Sequence, residues 1–157
     1  MPAPRRLDPD RGSTLLLFPA ALLIMVALAA MTVDSAIGFL AQRQLANATA
    51  AAANDAATQA LSDSSFYEGN RVELMPSAVE TVAVARVYSL IDEARHHELV
   101  VTAEAVAPVA PGCPWTVRVA AASWVEELFG RAMPGSDGRV AVRAESAAWP
   151  QRSAVLC

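Results

Sequence analysis

The chain has 157 residues, with 12 basic residues against 16 acidic ones, two His, two Cys and a formal net charge of −4. All of the basic residues are Arg, and they are scattered, so no block exists that would neutralise a run of phosphates; nucleic acid is excluded as an expected partner. Hydrophobic residues make up 54% of the chain, and the excess over an ordinary soluble domain is concentrated in one run near the amino end.

Residues 1–12 carry Arg5, Arg6 and Arg11 among Pro and Asp, and are too short and polar to fold. From Gly12 to Val33 there is no charged residue. As a helix rising about 1.5 Å per residue, residues 14–33 reach roughly the 30 Å of bilayer hydrocarbon. Six Leu with Phe18, Ile24, Val26 and Val33 give the run an insertion preference on the order of 3 to 6 kcal/mol. Three Arg precede it and only Arg43 follows closely, so the positive-inside rule puts the amino end in the cytoplasm and the bulk of the chain outside. The pattern also fits a secretory signal peptide cut near Ala27-Leu28-Ala29. Against that, the apolar run is longer than a signal core, and helical spacing continues beyond it.

Asp34 stands at the outer edge of the run. Past it, Ile37, Leu40, Ala41, Leu45, Ala48, Ala52 and Ala56 recur at three and four residues, which predicts one helix over residues 14–61 with a small-residue stripe. Such a stripe suits close approach of a partner helix, or simply reflects the helix propensity of Ala. Residues 62–70, rich in Ser, Asp, Gly and Asn, end the helix. Ser77 and Glu80 have capping-box spacing, and Val79, Val82, Ala83, Val87, Leu90, Ile91 and Ala94 mark one face of an amphipathic helix over residues 78–95. His96 and His97 are adjacent, diverge on any regular element, and read as residues at that helix's C-terminus.

Alternation at residues 99–105, 115–121 and 140–144 predicts three short strands, the first two joined by a Pro-Gly-rich turn. Ser123 and Glu126 repeat the capping-box spacing and predict a two-turn helix using Val125, Leu128 and Phe129 before Met133-Pro134-Gly135. Trp115, Trp124 and Trp149 are read as core residues, with interface anchors as the alternative. Cys113 and Cys157 would both lie outside the cytoplasm, where a disulfide is permitted; pairing would close a loop of 45 residues and stabilise by about 4 kcal/mol in the chain-entropy model. Two free thiols or an intermolecular link are the alternatives. No His, Cys, Asp or Glu spacing suits a metal, no Gly-rich phosphate loop occurs, and no nucleophile has the surroundings of a catalytic site. No cofactor, no small-molecule substrate and no enzymatic activity are expected.

Residues 10–60 resemble the TadE/TadG-like proteins of the bacterial tight-adherence (Flp) pilus system. The residues that carry the resemblance are Asp10-Arg11-Gly12-Ser13, the apolar run with its early Pro19, Thr32-Val33-Asp34, then Arg43-Gln44-Leu45, Asn47-Ala48 and the Ala-rich continuation. Gly12 and Ser13 correspond to the processing site of TadE-type minor pilins, whose Glu five residues on is replaced here by Leu17. The Asp that many relatives place in the Ala-rich stretch has Ala50 in its nearest position and Asp55 further along. The resemblance implies a TadG-like, non-catalytic component that stays in the membrane, contacts lipid, and packs against other pilus or secretion proteins.

The expected fold class is α+β. A cytoplasmic tail (1–12) leads to a transmembrane helix (13–33), an extracytoplasmic helical extension (34–62), and a small extracytoplasmic domain (63–157) of an amphipathic helix on a three-stranded antiparallel sheet. Asp34 and the stripe Ala41, Leu45, Ala48 and Ala52 are the candidate contact residues.

Overall fold

The computed structural model describes residues 13–63, 67, 73–110, 113–132 and 135–150 of the chain. Helix α1, Ser13–Gln59, runs 47 residues without interruption, about 70 Å of helix. Pro19 falls in its second turn, close to the end where donors lack intrahelical partners in any case. An antiparallel bridge between Leu61 and Leu74 pinches the following connection, and the Met75 N–H donates to the Ala60 carbonyl at 2.9 Å. Helix α2, Pro76–Leu90, then runs back alongside α1, and an Arg86–Asp55 ion pair at 2.7 Å ties the two together.

The sheet consists of β1 (His97–Val106), β2 (Thr116–Glu126) and β3 (Arg139–Ala148), antiparallel in the order β1-β2-β3. Its inner face is set by alternation. Val117, Val119, Ala121, Ser123 and Val125 of β2 are buried, while Arg118, Trp124 and Glu126 between them are exposed. Both helices lie on that inner face, so the protein is a two-layer α+β structure. β3 ascends beside α1 in the same direction: the α-carbon face of Gly38 meets Val140, the Gln42 side chain meets the Arg143 backbone, and the Thr49 and Ser146 hydroxyls share a hydrogen bond of 3.2 Å. The β2–β3 connection is therefore at the level of Asp34, and the β1–β2 connection is at the opposite end of the sheet.

The outer half of α1 is the central beam of this core. Ala41, Leu45, Ala48, Ala52, Ala53, Ala56, Ala57 and Ala60 are buried with Val79, Ala83 and Val87 of α2 and the inner face of the sheet. The small-residue stripe is thus filled by the chain's own sheet and α2, because Ala side chains let those layers approach the α1 backbone closely. Leu40 is a correction: it lies on the exposed side of α1, outside the stripe. Buried residues between Ala41 and Ala60 and between Leu74 and Ala148 belong to one core. The inner half of α1 is different. From Leu17 to Val33 its residues are exposed on all sides, apart from a half-buried Ala30, and it is the one helix among the described residues long and apolar enough to cross a membrane.

Several local expectations are corrected. Helix α2 begins with Pro76, a residue preorganised for the first helical position, and not at a Ser77 cap; its N-cap is Met75, with no side-chain hydrogen bond. It ends at Leu90 and not near residue 95, because Ile91 turns extended and the Asp92 side chain accepts the Ala94 N–H at 3.1 Å, an Asx turn that competes with the helix. Among the described residues the predicted two-turn helix after Ser123 is absent. β2 pairs with β3 through Glu126↔Arg139, and a 3-10 turn, Gly130–Ala132, follows. A full ladder of interstrand bonds outweighs a local capping signal. Trp124 and Trp149 are part-exposed and not core, while Trp115 packs against the core's edge.

Candidate interaction site at the exit of the apolar helix

The first buried residue of α1 after the apolar run is a charged one. Asp34 is 6% exposed. Its Oδ1 accepts the Leu128 N–H at 2.9 Å and the Phe129 N–H at 3.2 Å, and Oδ2 also accepts from Phe129 at 3.2 Å. Bonds from backbone N–H groups to a carboxylate are charge-assisted, and here they satisfy donors in the connection beyond β2 that have no strand partner.

That connection is itself well built. The Glu127 N–H donates to the Gly138 carbonyl at 2.9 Å, closing the loop, and the Ala132 N–H donates to the Phe129 carbonyl at 2.9 Å. Gly138 has φ +70, and a Cβ there would lie 3.0 Å from the Arg131 backbone nitrogen, so glycine is required on both counts. Arg131 pairs with Glu126 at 2.8 Å. Leu128 and Phe129, held by their backbones, remain 70% and 45% exposed. Beside Asp34, a cleft of about 470 Å³ lies between α1 and β3, lined by Met31, Gly38, Phe39, Gln42, Glu127 and Val140 among others.

Two helix side chains attend to the open edges of the sheet. The Gln42 amide donates to the Arg143 carbonyl and accepts the Arg143 N–H at 3.2 Å, standing in for a neighbouring strand on β3. The Tyr88 hydroxyl donates to the Leu99 carbonyl of β1 at 3.0 Å. Both contacts cover groups that would otherwise invite pairing with another chain. On the outer face of the sheet a shallow trough of about 420 Å³ forms over the small side chains Ala120 and Ala122, between Val100 and Thr102 on one side and Arg143 and Glu145 on the other.

His96 does not end a helix. It is buried under the start of β1 with Nδ1 hydrogen-bonded to the Ser123 hydroxyl at 2.8 Å, while its Nε2 is buried and meets no partner among the described residues. Burial pushes its pKa below 6.5; Asp92 opposes the shift, and Arg95 and His97 add to it. His97 is the first residue of β1.

The remaining candidates are placed as follows. Ala41, Leu45, Ala48 and Ala52 are interior, about two to five turns beyond Asp34 along α1. Ser13 is the first residue of α1; Gly12 and Cys157 lie outside the described residues, and Cys113 lies in the β1–β2 connection, where its N–H donates to the Ala110 carbonyl at 3.1 Å. Among the described residues no group of three His, Cys, Asp or Glu is placed to hold a metal ion. Sequence reasoning singled out Asp34 for its position at the end of the apolar run, but its partners, 94 and 95 residues away, leave no periodic signal, and the same holds for Gln42 with Arg143 and His96 with Ser123. No family model, curated protein or solved structure matches the chain.

Proposed function

We propose that the chain is a membrane-anchored, non-catalytic component of a Tad/Flp-type pilus assembly or secretion apparatus, TadE/TadG-like in role. The amino end lies in the cytoplasm, residues 13–33 cross the membrane, and the α+β domain is presented outside to other components of the apparatus. One observation supports this most: a helix exposed from Leu17 to Val33 except at a half-buried Ala30, and free of charge over that length, continues without a break into a packed domain that begins at Asp34. A helix apolar on every side is stable only when surrounded by lipid or protein. The order of motifs in residues 10–60 supplies the link to the pilus system.

The anchor is tested by fractionation with alkaline extraction together with intact mass of the membrane-bound protein. A full-length or Met-trimmed chain retained in the membrane fits a permanently anchored, TadG-like part; a start at Ser13 makes it a processed minor pilin in spite of Leu17. The pilus link is tested by deleting the gene and assaying surface pili, and by co-purification with a membrane platform protein encoded nearby. Retention in the membrane with normal pili would leave an accessory or sensor protein unrelated to pili. A second reading, a secreted binding module cleaved near Ala29, draws on a specific observation: no residue from Leu17 to Ala29 is buried against the domain, so its removal would leave the core whole. A soluble product starting near Ala30 would replace the anchored reading with this one.

A further inference from the structure

We propose that the β2–β3 connection is a second membrane contact, in which Leu128 and Phe129 enter the lipid interface beside the point where α1 leaves it. The inference rests on the anchored reading above and adds a surface to it. Three observations carry it. The backbone of Leu128 and Phe129 is fixed within 3.2 Å of the Asp34 carboxylate, one residue beyond the apolar run. Side chains on a helix lean toward its N-terminus, so that carboxylate points down toward the hydrocarbon boundary and brings the loop with it. Both side chains are apolar and remain 70% and 45% exposed although the loop around them is closed by its own hydrogen bonds.

The occupant follows from continuity. The bare surface of Leu17–Val33 demands lipid, and the exposed pair adjoins its upper end. Apolar and aromatic side chains at that depth sit favourably at the headgroup boundary, with Glu126 and Arg131, already paired, left in water. A single helix leaves a domain free to swing. Two contacts on either side of the Asp34 clamp would hold the sheet upright, with the β1–β2 connection turned away from the membrane.

The test uses the full chain in phosphatidylcholine–phosphatidylglycerol vesicles, with one cysteine introduced at a time for spin labelling at Leu128, Phe129, Val26 or Val109 beside the native Cys113 and Cys157, and the unsubstituted chain as labelling background. Collision with oxygen and with a water-soluble nickel chelate gives the depth of each label. Labels at Leu128→Cys and Phe129→Cys should show an oxygen-to-nickel ratio several-fold above that at Val109→Cys, which is fully exposed at the far end of the sheet. Water-like ratios at both loop sites, with Val26→Cys in lipid, would overturn the second contact and leave the anchor standing. A water-like ratio at Val26 as well would instead overturn the anchored reading itself. Because the substituted side chains are exposed, folding of the variants is not at issue, and circular dichroism of each labelled chain verifies it.

Discussion

Asp34 joins one carboxylate to two backbone N–H groups of a turn 94 and 95 residues away, and it does so where α1 passes from bare to packed. Asp34→Ala leaves both donors without an acceptor in a partly buried place, at a cost of about 1–3 kcal/mol. Hydrogen exchange should therefore quicken at Leu128 and Phe129 while the β1–β2 ladder is unaffected. Asp34→Asn, which keeps one acceptor oxygen, should fall between. His96 predicts a pH dependence. Its folded pKa lies below the ordinary 6.5 because burial disfavours the imidazolium, so between those two values the unfolded chain binds more protons than the folded one. Stability is then full above 6.5 and declines as pH falls through 6.5 toward the lowered folded value. Denaturation followed from about pH 8 to about pH 5 should show this decline, and His96→Gln, whose amide can still meet Ser123, should flatten it.

At the scale of elements, the alanine-rich half of α1 is a core helix on which the sheet and α2 are both laid. Ala52 is wholly buried, so Ala52→Leu forces the layers apart and should destabilise by about 1–3 kcal/mol, whereas Asn47→Ala on the exposed side should change stability by less than about 0.5 kcal/mol. Urea titration of the two variants checks this contrast. The existence and type of all five main elements were legible in the sequence because each carries a period: two for Val117, Val119 and Ala121, and nearly four for Val79, Ala83 and Val87. Their ends were not. The Ser123–Glu126 spacing is a valid capping signal taken alone, but strand pairing with residues 139–148 carries β2 through it, and Ser123 serves the His96 imidazole instead. Likewise the stripe Ala41, Leu45, Ala48, Ala52 was legible as a surface needing cover, while the identity of the cover was not, since a helix face records that something packs there and nothing about which chain supplies it.

For the whole molecule, the decisive feature is that one helix serves two environments. Its outer half lies in the core of an α+β domain, and from Leu17 to Ala29 every residue of its inner half is exposed. If the inner half contributes no packing, it contributes nothing to the cooperative unfolding of the domain. A chain starting at Ala30 should accordingly stay in solution without detergent and unfold with the same urea midpoint as the full chain held in micelles, since every residue of the core lies at or beyond Asp34. The full chain, by contrast, should aggregate when detergent is removed, because an exposed apolar helix of this length far exceeds the patches that monomeric proteins tolerate in water. Equal midpoints with unequal solubility would show that the apolar surface and the folding of the domain are separable properties of α1, divided at Asp34. A shortened chain that unfolds at distinctly lower urea would mean instead that the inner half stiffens the outer one, and that the domain depends on its apolar segment for stability.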